Sequence, residues 1–364
     1  MRYGRCVADI TELADRFRDW DRWETGSAMY SGLAVRIADD PDVLSLLQAA
    51  PHNQQLPVLL FAAVHDLVLS DPGLELAKWY PTVTTAPLAG DPFPEFRQLC
   101  LDHRDHLEGV ISTRSTQTNE VARCAFFLPA LSAIARDEFP LALVDIGASA
   151  GLNTLFDQFE YRYQPGGSLG GPSPVVIECA LSGDAPIPSE FPTVTTRISL
   201  DISPIDVTDL DQARWLKACI WPDQAERFAR LEGAIALAYD HEIDIRRGDA
   251  VDRVAELIRE AAPDGHPVVM NSWVLNYLTH DERLAYLAEL DKVGEELDFS
   301  WVFAESPQSC SGIPMPQDAA LQRRTVVMIA RWRQGARTLE HVGTAHPHGR
   351  WLNWGGAKSV FGGE

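Results

Sequence analysis

Residues 141–156, LALVDIGASAGLNTLF, constrain the fold more than any other stretch of the chain. Leu141, Ala142, Leu143, Val144 and Ile146, with Asp145 among them, make an apolar run of the length of a strand buried on both faces. Gly147 and Gly151 then permit a sharp turn and a close backbone approach, and the pattern after them predicts a helix over 152–159. Strand, glycine turn and helix in succession put unpaired N–H groups at a helix N-terminus, which favours anions and polar ligand groups. Two chemistries fit the loop. One is a nucleotide-type cofactor loop, D-x-G-x-x-x-G. The other is a nucleophile elbow, because Gly147-Ala148-Ser149-Ala150-Gly151 matches G-x-S-x-G letter for letter.

Charge removes one class of partner. Acidic residues outnumber basic ones 52 to 31, a formal net charge of -21, whereas nucleic-acid binding draws its affinity from Lys and Arg. The six cysteines (Cys6, Cys100, Cys124, Cys179, Cys219, Cys310) are scattered and include no C-x-x-C pair, so they read as buried thiols in a reducing cytosol; neither a disulfide framework nor a zinc site fits. The N-terminus has no apolar core before a cleavage site, and no run approaches the ~20 apolar residues of a membrane span. A cytoplasmic protein with no membrane and no nucleic-acid partner is expected.

Residues 1–138 read as a helical domain and 139–364 as an α/β domain with an insertion at about 160–195. Helical spacing of Leu13, Ala14, Phe17 and Trp20 predicts a helix over 10–23. Asp40-Pro41 resembles an N-cap followed by Pro at the first helical position, opening a helix over 42–49. Further helices are expected over 57–69, with His65 in the core or at its boundary, and over 93–111. His103 and His106 on the latter share a face, but no further ligand is signalled and a solvated face is favoured; no metal is expected. Next, RSTQTNEVAR (114–123) packs polar residues into the start of an apolar helix running to about 135. Thr118 is the expected cap, with Glu120 in the first turn. The surplus of polar groups suits either a hydrogen-bond network between domains or the lining of a pocket.

After the loop, 164–192 is rich in Gly, Pro and Ser around one apolar run, 175–181, that can pair as a strand; so long a loop reads as an insertion or lid. Strands are expected over 195–200, 243–246, 267–270 and 299–304, separated by helices over 207–218, 224–239, 251–261 and 281–296. A hairpin follows, over 325–333 and 338–344 around Gln334-Gly335, and then the run HPHGRWLNW (346–354). Strand and helix alternating in this way imply a parallel sheet that binds its ligand at the carboxyl ends of the strands. An elbow serine normally lies mid-sheet, behind an upstream oxyanion motif; here the region upstream reads as helix, and element order disfavours a Ser149–His348 hydrolase.

The cofactor reading finds an acid at three successive strand ends: Asp145, Asp201 and Asp249. Asp201 is placed to accept two ribose hydroxyls and Asp249 the exocyclic amine of an adenine. A nicotinamide fingerprint requires G-x-G-x-x-G with an acid about 20 residues on, and neither is met. VDIGASAG instead resembles the D-x-G-x-G-x-G motif of the class I S-adenosylmethionine-dependent methyltransferases. Asp145, Gly147 and Gly151 match, while Ser149 departs at the middle glycine. Asn271-Ser272-Trp273 lies where that family's fourth motif flanks the substrate. More closely, the blocks RSTQTNEVAR, DIGASAGLN, DISPIDVTD, ARWLKACIWPDQAERF, RRGDAVD, NSWVLNYL and AHPHGRWLNW resemble a bacterial family of unknown function, domain-of-unknown-function family 2332. These resemblances imply a Rossmann-like methyltransferase sheet, mostly parallel with a C-terminal antiparallel hairpin.

They also imply S-adenosyl-L-methionine as cofactor, held by Asp145, Gly147, Ser149, Gly151, Asn153, Asp201, Asp249 and Ala250, and a small-molecule acceptor. His346 or His348 is the candidate base, since histidine titrates near neutral pH, with Glu120 and Asn271 as further catalytic candidates. Asn119, Arg123, Trp273 and Trp351 are candidates for holding the substrate. A histidine turn that only bonds backbone is the structural alternative. Three other functions stay open on the same residues: aminocarboxypropyl transfer or cyclisation of the same cofactor, a Ser149 hydrolase, and a binder without turnover. The acceptor and the oligomeric state are not legible.

Overall fold

The computed structural model describes residues 8–20 and 26–361. The chain divides into two compact units, Met1–Thr118 with Val207–Glu232, and Asn119–Asp206 with Gly233–Glu364. The helices in chain order are α1 (Ile10–Arg18), α2 (Ala28–Ile37), α3 (Pro41–Leu44), α4 (Pro57–Ser70), α5 (Phe93–Asp102), α6 (Arg104–Thr113), α7 (Cys124–Ala135), α8 (Leu210–Ala218), α9 (Ala225–Asp240), α10 (Ala250–Ala261) and α11 (His280–Gly294).

The first unit is helical and contains α1–α6 and α8. Asp40 caps α3 by accepting from the Val43 amide at 3.1 Å, with Pro41 at the first helical position, as its sequence predicts. α1 ends at Arg18, short of the predicted helix end, and positions 21–23 of that prediction lie outside the described residues. The helix expected over 93–111 is two helices broken at His103. Arg104 at the break bonds Asp42 O and Ser45 Oγ, tertiary contacts that helical periodicity does not encode. α4 is apolar on every side and buried from Leu59 to Val68, the signature of a core helix. Its His65 is a core histidine, 2.8 Å from Thr82 Oγ1 and 3.1 Å from Ala218 O, and burial lowers its pKa to about 4.

The second unit is built on a mixed, mostly parallel sheet of eleven strands among the described residues. These are β1 (Leu141–Ile146), β2 (Glu160–Gln164), β3 (Gly167–Leu169), β4 (Val176–Gly183), β5 (Val194–Asp201), β6 (Asp244–Arg247), β7 (His266–Ser272), β8 (Phe299–Glu305), β9 (Thr325–Arg333), β10 (Ala336–Ala345) and β11 (Trp351–Phe361). Their order is β3-β2-β4-β11-β10-β9-β8-β7-β1-β5-β6. β6, β5, β1, β7 and β8 run parallel, and β9, β10 and β11 follow as an antiparallel meander. Counted in chain order, the parallel strands lie 3-2-1-4-5, so the winding reverses between β1 and β7, the kind of switch point at which open α/β sheets generally bind ligands. α10 buries Val254, Leu257, Ile258 and Ala261 beside β1, β5 and β7, and α7 packs on β4 and β8.

Two local expectations change. Residues 152–159 form a 3-10 helix, Leu152–Gln158, and no α-helix; Leu155 leaves helical geometry there, and the Arg197 guanidinium bonds both Thr154 O and Asp157. The segment 160–195 contributes three strands where one was expected. Tyr161, Tyr163, Ile177 and Cys179 alternate into the interior, the tyrosine hydroxyls reach Phe156 O and Ala125 O, and β4 joins β11 in parallel. Such alternation in a tyrosine-rich, glycine-interrupted stretch carries less signal than an aliphatic run.

Candidate functional site

The candidate site belongs wholly to the second unit. β1 places Asp145 next to its carboxyl end, and the chain turns through Gly147 (φ +68°), Ser149 (φ +57°) and Gly151 (φ +72°). Both glycines are required by packing as well as by φ. A methyl on Gly147 would overlap Val274, and one on Gly151 would come within 2.6 Å of Ile243 Cγ2 and 2.9 Å of Ser199 Oγ. The expectation of unpaired loop amides does not hold. Gly147 and Ala148 donate to Leu200 O, Ser149 to Asp201 Oδ2 at 2.8 Å, and Gly151 to Ala148 O. Ala150 and Leu152 both donate to Asn119 Oδ1 at 3.2 Å. The polar surplus before α7 explains this: Asn119 and Asp201 saturate the loop from its two sides. Thr118 is not the cap of the next turn. Glu120 is, through the Ala122 amide.

What the loop leaves unmatched is side chain. Asp145 is 3 % exposed and its Oδ2 makes no hydrogen bond; Ser149 Oγ and Ser199 Oγ are likewise buried without a partner. Burial, reinforced by the Asp201 charge and opposed by Arg123, pushes the Asp145 pKa up to about 8. Asp201, 9 % exposed, accepts Ser149 N on Oδ2 and Ser203 N on Oδ1, so each oxygen keeps one lone pair. Asp249 caps α10, taking the Val251 and Asp252 amides on Oδ1, and Ala250 is that helix's first residue. Asn153 is buried in the 3-10 turn beside the Cys124 thiol.

The turn after β7 lies against the loop through Val274. It too is strained: Trp273 has φ +57°, and its indole Nε1 is buried with no partner. The anchor of this turn, Glu305, is not among the residues singled out from the sequence. It is the last residue of β8 and is 0 % exposed. Its Oε1 accepts from Asn271 Nδ2 at 2.9 Å, Val274 N at 2.8 Å and Leu275 N at 3.2 Å. Asn271 in turn accepts from Trp301 Nε1 at 2.6 Å. Burial raises Glu305 to about 7 against the opposing pull of these donors and of Arg123. The signal that finds Asp145, Asp201 and Asp249, an acid at the end of a parallel strand, extended to the fifth strand finds Glu305 as well.

A third segment, the β10–β11 turn His346-Pro347-His348-Gly349, completes the group. His348 Nδ1 lies 3.3 Å from Oε2 of Glu120, whose side chain is 3 % exposed against 31 % for the histidine. The His348 amide donates to His346 Nδ1 at 3.0 Å, and His346 meets Trp351 edge-on at 6.3 Å. Arg123, 9 % exposed, ties this turn to β7: Nε donates to Pro347 O, and Nη1 to both Ser272 O and Ser272 Oγ. This contact sets a buried carboxylate opposite the Nδ1 edge of the His348 ring. Ser149 has the positive φ of an elbow, but its hydroxyl bonds neither histidine.

Gly349 keeps the pair in register. It has φ +69°, and a methyl there would overlap the carbonyl of Ala122, two residues after Glu120. Gly349→Ala is therefore expected to destabilise the fold by about 3 kcal/mol, combining left-handed strain with the cost of an overpacked contact. Denaturant unfolding checks it; a change below about 1 kcal/mol contradicts the packing described.

No helix among the described residues is long and apolar enough to cross a membrane, and the five described cysteines form no disulfide. The sequence was compared with curated proteins and matched none. It does match a family described as uncharacterized protein conserved in bacteria, over residues 14–354, a span holding every residue of the site. The chain is a member of that family, DUF2332.

Proposed function

We propose that this protein is an S-adenosylmethionine-dependent methyltransferase acting on a small molecule, with its site at the carboxyl edge where β1 and β7 part. The observation that carries the reading is the 3-2-1-4-5 strand order, with a glycine turn after the first strand and Asp201 at the end of the second. The residues fit such a ligand through side chains: Asp201 has an acceptor lone pair left on each oxygen, and Asp145 Oδ2, Ser149 Oγ and Trp273 Nε1 are buried polar atoms without partners. They do not fit a cradle of loop amides, because those amides are satisfied internally. Asp201 would hold the ribose and Asp249 with Ala250 the adenine.

When bound, the cofactor supplies a methyl group on a positively charged sulfur. The chain's own part is to orient the acceptor, exclude water and hold its proton. Glu120 holds His348 with Nε2 as the base toward the acceptor's proton, and the imidazolium so formed is stabilised by that carboxylate. Trp273 and Trp351 offer apolar walls, and Arg123 keeps the histidine turn on β7.

Calorimetric titration with S-adenosylmethionine tests the reading. Saturable binding is expected, weakened about tenfold or more by Asp201→Ala, the effect of losing a charged acceptor. Thermal unfolding of the variant separates lost contacts from lost fold. Absence of binding at millimolar ligand overturns the proposal.

A further inference from the structure

One cavity has a lining that shares no residue with the site described above. It has a volume of about 280 Å³, between the turn Ala319–Leu321 and the paired strands β10 and β11. Among its lining residues Leu321 is apolar, Thr344 and Asn353 are polar, and Arg324 is cationic. The wall is fixed: Gln322 O accepts from Ser306 Oγ at 2.7 Å and from Gln308 N at 3.1 Å. Its floor is open for a structural reason. β10 carries a bulge between His341 and Gly343, which shifts register with both neighbours, and a side chain at Gly355 would meet nothing within 4 Å.

Arg324 gives the cavity its chemistry. It is exposed, and among the described residues it makes no ion pair, in a chain where acids outnumber bases 52 to 31. A guanidinium offers a planar fork that matches a carboxylate, while Leu321 and Ala320 suit an apolar body. We propose that this cavity is a binding site for a small carboxylic acid with an apolar body, its carboxylate on Arg324 and its body against Leu321. The site is independent of the methyltransferase reading.

The test uses the full chain and phenylacetate as probe, followed by NMR line broadening and by thermal shift. Binding at millimolar concentration is expected, reduced about tenfold or more by Arg324→Gln, an exposed change that leaves the core intact. Gly355→Leu, which fills the floor and keeps the arginine, is expected to abolish it. Neutral phenylacetamide and inorganic phosphate separate body from charge, and both are expected to bind far more weakly. No phenylacetate binding, binding that persists in Arg324→Gln or in Gly355→Leu, or equal binding of either control each overturns the proposal.

Discussion

Glu305→Ala is expected to destabilise the protein by about 3–5 kcal/mol and to release the turn that carries Trp273. The size follows from what the carboxylate holds. Three donors, Asn271 Nδ2 and the amides of Val274 and Leu275, converge on one oxygen in a position with 0 % exposure, and removing it leaves the buried Asn271 and Leu275 donors and the half-buried Val274 amide without this acceptor. Trp273 keeps its φ of +57° only because the flanking residues are over-determined, so their release allows the tryptophan to relax to negative φ. Glu305→Gln is the informative control. It keeps an oxygen for the three donors and removes the charge, and it is expected to cost less than half as much. Urea unfolding at neutral pH measures both, and near-ultraviolet circular dichroism reports the tryptophan environment. Equal effects of Ala and Gln would mean that the charge, and not the acceptor, holds the turn.

How far the sequence foretold this arrangement depends on the kind of interaction. The parallel strands were legible because aliphatic runs such as LALVDI and VVM announce burial on both faces. Asp40-Pro41 was legible because a cap and a proline act within one turn. The saturation of the glycine loop was not, because its acceptors, Asn119 and Asp201, come from 31 and 52 residues away along the chain. The same holds for Glu120 and His348, each proposed for catalysis separately; nothing in either local pattern signalled their pairing. Strands β2 and β3 were obscured by glycines that break periodicity while the tyrosines between them still alternate. Local chemistry is readable where its partner is within a turn, and the site here is made almost wholly of partners that are not.

Asp145→Asn is expected to stabilise the protein above neutral pH and to leave it unchanged near pH 4, against the usual direction of a buried substitution. Burial and the neighbouring Asp201 charge hold this carboxyl at about 8 in the fold, against an ordinary value of 3.8. Between those two values the unfolded chain has lost the proton and the folded chain keeps it, so stability falls as pH rises through the window and levels off above about 8. The full ionic penalty is on the order of 5 kcal/mol at high pH, since each tenfold change in proton affinity between folded and unfolded chain is worth about 1.4 kcal/mol. Asparagine removes the titration and can offer an amide N–H where Oδ2 had no partner. Glu305, raised to about 7 from an ordinary 4.5, adds a slope of the same sign between those values, so the wild type should lose stability continuously from about pH 4 to 8. In Asp145→Asn only the Glu305 part should remain, ending near pH 7. Urea midpoints taken at intervals from about pH 4.5 to 9 measure the difference directly. Parallel wild-type and variant curves would show that Asp145 is already ionised in the folded protein, and that Arg123 outweighs Asp201 and burial at the end of β1.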